Sequence, residues 1–107
     1  MKDRRRAPRF PLVLSAEVVE VPSGAKLRAR TCDISRNGCY VDTLNPIPKA
    51  SEVRIRLVRS NEVFEAMGRV VYVSPHLGMG ISFESVADGE RARLEQWLQN
   101  AGVPGRL

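Results

Sequence analysis

The chain has 107 residues, 43% of them hydrophobic, enough to close one core and too few for two independent domains. Seventeen Lys and Arg against twelve Asp and Glu leave a formal charge of +5. No apolar run approaches the roughly eighteen residues of a membrane span, and Met1-Lys2-Asp3-Arg4-Arg5-Arg6 leads into Ala-Pro-Arg instead of an apolar signal core, so the expectation is a cytoplasmic protein without membrane insertion.

The amino-terminal stretch Arg4-Arg5-Arg6-Ala7-Pro8-Arg9-Phe10 presents four guanidinium groups within six positions. Such a segment repels itself and carries little apolar material to pack, which predicts a flexible arm over residues 1–10. From Leu12 to Val21, Leu12, Leu14, Ala16 and Val18 alternate with Val13, Ser15, Glu17 and Val19, a period-two strand with one apolar face. Pro22-Ser23-Gly24-Ala25 reads as a turn. Alternation resumes from Lys26 to Asp33, with Leu27, Ala29 and Thr31 opposite Lys26, Arg28 and Arg30. Asn37-Gly38 signals a hairpin, and Cys39 to Thr43 is the returning strand.

Pro46 and Pro48 break the chain, after which Val53, Ile55 and Leu57 alternate with Arg54, Arg56 and Val58 up to a turn at Ser60-Asn61. Val63 to Val73 pairs back, and Gly68 within it marks a bulge or a close backbone approach. A turn at Pro75-His76-Leu77-Gly78 leads to a last strand, Met79 to Phe83. The period then changes. Ala87, Arg91, Leu94, Trp97, Leu98 and Ala101 recur at spacings of three and four, an amphipathic helix with Asp88 as its expected N-cap and a stop at Gly102 and Pro104. Six strands and a closing helix predict an all-β fold: a small antiparallel barrel over residues 11–101 with the helix across an open end, and a frayed tail over 102–107.

The chemistry lies in two clusters. Nearly all of the cations are Arg, whose planar fork grips phosphate bidentately and stacks on bases as Lys does not. The second cluster is Asp33-Ile34-Ser35-Arg36-Asn37-Gly38, a carboxylate and a hydroxyl beside a turn. Taken alone, the first is an ordinary solvated tail and the second is what hairpin turns contain. Together, Arg5-x-x-x-Arg9 followed by Asp33-x-Ser35-x-x-Gly38 resembles the PilZ domain family, and the resemblance continues through Gly68-Arg69-Val70-Val71-Tyr72 and Gly78-Met79-Gly80-Ile81-Ser82-Phe83, covering about Arg4 to Leu98.

The resemblance implies a six-stranded barrel with a carboxy-terminal helix and cyclic di-GMP as ligand, with no other cofactor. Arg5 and Arg9 are then expected on its phosphates and on the O6 and N7 edge of guanine, Asp33 on the guanine N1 and N2 donors, and Ser35 at an adjacent position. Gly38 is expected to let the backbone turn and come close, and Arg4 and Arg6 are further ligand candidates. Output would pass to an unidentified effector protein, in motility, exopolysaccharide synthesis or another surface-associated behaviour, because this chain carries no output domain. No Ser-His-Asp or Cys-His arrangement is legible, so enzymatic activity is not expected; Cys32 and Cys39 read as reduced thiols, and with His76, a surface turn residue, they are too few for zinc. Two other readings remain. One is a nucleic-acid-binding barrel using Arg28, Arg30, Arg54 and Arg56, which lacks evident exposed aromatics for base stacking. The other is a PilZ-like adaptor that binds only protein, against which both motifs are intact.

Overall fold

The computed structural model describes residues 8–101. Its strands are β1 (Phe10–Pro11), β2 (Ser15–Glu20), β3 (Lys26–Ser35), β4 (Gly38–Asp42), β5 (Glu52–Arg59), β6 (Glu62–Ser74) and β7 (Gly78–Ser85), followed by the helix α1 (Asp88–Ala101). All pairings are antiparallel. β3, β2, β5, β6, β7 and β4 are neighbours in that order and β4 pairs back with β3, so six strands close a barrel. This is the predicted architecture, with the two-residue β1 added at the carboxy-terminal part of β3.

Alternation explains the core. Leu14, Ala16 and Val18 of the β2 segment, Val53, Ile55 and Leu57 of β5, and Phe64, Ala66 and Val70 of β6 point inward, while Arg54 and Arg56 face water. Leu94 and Trp97 of α1 complete the core as expected, and the Trp97 indole N–H donates to Glu62 Oε1 at 2.7 Å. Gly68 fulfils both of its readings: the β6–β7 register shifts beside it, and an added Cβ would lie 2.5 Å from the Ser82 carbonyl oxygen.

Four local expectations are corrected. The strand predicted over Leu12 to Val21 is interrupted between β1 and β2, where the Thr31 hydroxyl of β3 accepts from Leu14 N–H and donates to the Leu12 carbonyl. Asp88 is the first helical residue and not the cap, because the Ala87 carbonyl already accepts from Arg91 N–H. There its carboxylate still complements the positive end of the helix. The hairpin loop is Arg36-Asn37, with Gly38 already paired to Ser35 in β4.

The fourth correction concerns β3. Its register against β4 shifts between Thr31 and Asp33, so Cys32 is an extra residue. With strict alternation Asp33 would share the inward side of Thr31. The bulge turns it outward while Thr31 and Ile34 stay buried.

Candidate functional site

The re-aimed Asp33 meets Arg9. The Arg9 Nε and Nη2 both donate to Asp33 Oδ1, at 3.0 and 2.7 Å, with the two side chains 46% and 31% exposed. The pairing of Phe10 with Ile34 and Pro11 with Asp33 holds the end of the amino-terminal segment against β3 and so positions Arg9. In a half-exposed setting this ion pair adds little to stability. Its consequence is directional, since a guanidinium held on one edge presents its remaining donors along a defined line.

Beside the pair lies a pocket of about 450 Å³ lined by Arg9, Ser35, Asn37 and Gly38, across β7 and β6 by Gly80, Ile81, Ser82, Val71 and Tyr72, and by the buried Cys39. Ser35 is buried; its Oγ accepts from Asn37 N–H at 3.1 Å and donates to the Gly38 carbonyl at 3.4 Å. It therefore shapes the hairpin as well as lining the cavity. Gly38 acts through close approach and has no left-handed backbone: an added Cβ would sit 2.2 Å from the Ile81 carbonyl oxygen. Asn37 is fixed from the other side, its carbonyl accepting from Phe83 N–H at 2.8 Å.

β7 supplies the floor through what it lacks. Gly78, Gly80 and Ser82 alternate with the buried Met79 and Ile81, leaving a low strip between β4 and β6. The rings of Tyr40 and Tyr72 lie over Gly78 and Gly80, stacked with centroids 5.9 Å apart at 28°. Burial pushes the Tyr72 hydroxyl pKa upward, opposed by the charge of Arg9. Tyr72, Tyr40, Asn37, Gly80 and Ser82 were not among the residues expected at the site, and Tyr72 there is 45% exposed. The available signal was the spacing of small residues at 78, 80 and 82 opposite a tyrosine on each neighbouring strand.

The structure thus brings Arg9, Ser35 and Gly38 to one pocket, and ties Asp33 to it through Arg9. Arg4, Arg5 and Arg6 lie outside the described residues, as does all of the expected arm except Pro8, Arg9 and Phe10, and the expected tail over 102–107. Both cysteines are free; Cys39 is fully buried, which pushes its thiol up to about 12, and burial together with the neighbouring Asp33 and Asp42 carboxylates raises Cys32. Among the described residues no group of three or more His, Cys, Asp or Glu can hold a metal ion, and no helix is long and apolar enough to cross a membrane.

Solved structures share this architecture. The Bacillus subtilis inhibitor of motility MotI/DgrA superposes with a TM-score of 0.77 at 17% identity, covering 97% of this chain and 54% of that one, so this chain spans about half of its length. The PilZ domain of YcgR from Escherichia coli, solved with cyclic di-GMP, gives 0.75 at 15% identity over 92% of this chain and 91% of that one. The PilZ domain of CeSA from a cellulose-synthesizing bacterium gives 0.70 at 21% identity over 87% and 99%. At these identities the likeness is one of fold. No curated protein matches the chain in sequence. The sequence profile of the PilZ domain matches residues 3–100, nearly the whole chain, with Arg9, Asp33, Ser35 and Gly38 inside it: the chain belongs to the PilZ domain family.

Proposed function

We propose that this protein is a receptor for cyclic di-GMP and regulates a partner protein through the change that ligand produces. The observation that carries the reading is the Arg9–Asp33 pair, a cation that lines the 450 Å³ pocket held side by side with a carboxylate. A guanine nucleotide needs both. Phosphate oxygens and the guanine O6 and N7 edge accept from a guanidinium, whereas N1 and N2 donate to a carboxylate. Both Arg9 hydrogen bonds fall on Oδ1, and among the described residues the hydrogen-bond partner of Oδ2 is the Cys32 thiol at 3.9 Å, so orienting Arg9 and accepting from a base are compatible roles.

In this reading Arg5 and Arg9 clamp the phosphates and bases, Asp33 reads guanine, and Ser35 and Gly38 shape the hairpin beneath the ligand. Arg4 and Arg6 add cations that a dianion attracts. Ligand draws the arginine segment onto the β3–β4 hairpin and creates a new surface for the partner. The structure of the PilZ domain of YcgR with cyclic di-GMP and the name of MotI as an inhibitor of motility support a signalling role of this kind. Binding, not catalysis, is the proposed activity.

A calorimetric titration with cyclic di-GMP, paired with amide hydrogen exchange, tests this. Ligand is expected to bind and to slow exchange in residues 2–9 more than in the barrel strands. An intact protein that gives no heat overturns the reading, and an unchanged exchange pattern with heat overturns the switch alone.

A further inference from the structure

β2 stands diametrically opposite β7 in the ring of six strands, so the barrel has a second broad outer face that the nucleotide pocket does not use. Its middle column is Ser15, Glu17 and Val19 of β2, preceded by Val13 and followed by Val21. Val13 is 64% and Val21 38% exposed. Cross-strand register puts Lys26, Arg28 and Arg30 of β3 on one side of this column and Arg54 and Arg56 of β5 on the other. With strands about 4.8 Å apart, two columns of cations stand roughly 10 Å apart, with Ser15, Glu17 and Val19 between them.

Charge on this face is only partly satisfied. Across the central row, Arg28, Glu17, Arg56 and Glu65 alternate in sign; Arg28 and Lys26 approach Glu17 at 3.8 and 3.5 Å, and Arg56 approaches Glu65 at 3.3 Å. Arg30 above the row and Arg54 below it are exposed and form no ion pair with a described carboxylate. Such a surface keeps its attraction for further negative charge at both ends.

We propose that this face docks a protein segment with an apolar stripe flanked by carboxylates, its apolar side chains on Val13, Val19 and Val21 and its acids on Arg30 and Arg54. Three features favour protein over nucleic acid. Glu17 at the centre repels a phosphate backbone, the valines have no counterpart on one, and the described aromatic side chains lie in the core, on β1 or around the opposite pocket, leaving nothing here to stack on bases. Exposed valines flanked by arginines are ordinary features of a protein interface. Because β2 and β7 are opposed, occupancy of this face does not obstruct the pocket.

The test uses the full chain and a synthetic helical peptide with leucine on one face and glutamate on both flanks. Titration into ¹⁵N-labelled protein is expected to move amides of Ser15–Glu20, Lys26–Arg30 and Glu52–Arg56, and to leave Gly80–Ser82 unmoved. In fluorescence anisotropy the paired reversal Arg30→Glu and Arg54→Glu is expected to weaken the peptide at least about tenfold, since it places like charges together. Replacing the leucines by serine is expected to weaken it at least about fivefold, through lost apolar burial. Melting curves and the unchanged pocket amides confirm that the reversed protein is folded. The proposal is overturned by shifts elsewhere or none, by insensitivity to the reversal or to the serine peptide, or by duplex DNA or phosphatidylglycerol vesicles binding this face more tightly than the peptide does.

Discussion

The Arg9 guanidinium and the Asp33 carboxylate are joined on one edge, Nη2 to Oδ1 at 2.7 Å and Nε to the same oxygen at 3.0 Å. If the pair acts as a unit on cyclic di-GMP, neither member works fully without the other. Arg9→Ala and Asp33→Ala are each expected to weaken binding at least about tenfold, or roughly 1.4 kcal/mol, and the double variant to be little worse than either single one, because residues in one hydrogen-bonded network do not add. Arg5→Ala is expected to cost a similar factor and Arg54→Ala, on the opposite face, close to none. Calorimetry on the five proteins decides it; additive losses would mean that the two residues serve separate contacts.

Gly38 and Gly89 predict opposite outcomes from one substitution. At Gly38 a Cβ would lie 2.2 Å from the Ile81 backbone oxygen, which no rotamer change relieves, whereas at Gly89 in the first turn of α1 nothing lies within 4 Å. Gly38→Ala is expected to cost about 1–3 kcal/mol, and Gly89→Ala to add up to about 1 kcal/mol by helix propensity. Chemical denaturation checks both, and a neutral Gly38→Ala would show that β4 and β7 separate easily.

These residues also show where legibility ended. Period two revealed the barrel walls and spacings of three and four revealed α1, because burial on one face leaves a mark at every second or fourth position. The Asp33-x-Ser35-x-x-Gly38 spacing was visible as well, but its three residues do different work. Ser35 is a turn former with a buried hydroxyl and Gly38 a point of close contact between strands, while the outward aim of Asp33 depends on the bulge at Cys32. A bulge is set by the pairing partner and leaves no periodic trace. Tyr40 and Tyr72 were missed for a related reason, since only the register that lays their rings over Gly78 and Gly80 makes them part of the site.

Cys39 gives the pH prediction. Burial raises its thiol from 9.0 to about 12 in the folded protein, so above pH 9 the unfolded chain releases a proton that the folded chain retains. Stability from this group is therefore complete below pH 9 and is lost as pH rises toward 12. Cys32 moves in the same direction. The denaturation midpoint is expected to fall between pH 9 and 12, and to fall less in Cys39→Ala. At pH 8 a thiol reagent is expected to label Cys39 only after denaturation; rapid labelling in the native protein would show that the pocket lining opens.

Base selectivity follows from the free side of Asp33. Oδ1 is held by Arg9, which lines the pocket, and Oδ2, whose hydrogen-bond partner among the described residues is the Cys32 thiol, can accept further hydrogen bonds beside it. Guanine offers N1 and N2 donors to such an oxygen, while adenine presents an acceptor at N1 and no amino group at C2. An adenine there leaves the carboxylate unpaired and sets its own N1 lone pair against a negative charge. A site built to hydrogen-bond a donor rejects the analogue lacking it far more strongly than an apolar pocket rejects a change of shape. Cyclic di-AMP is therefore expected to bind at least about a hundredfold more weakly than cyclic di-GMP, roughly 2.7 kcal/mol. Asp33→Asn is expected to erode that ratio as well as the affinity, since the amide offers one acceptor and also loosens Arg9. Competition between the two dinucleotides on the native and Asp33→Asn proteins measures it: equal affinities on the native protein would make Asp33 a positioning group for Arg9 alone, with recognition resting on the phosphates.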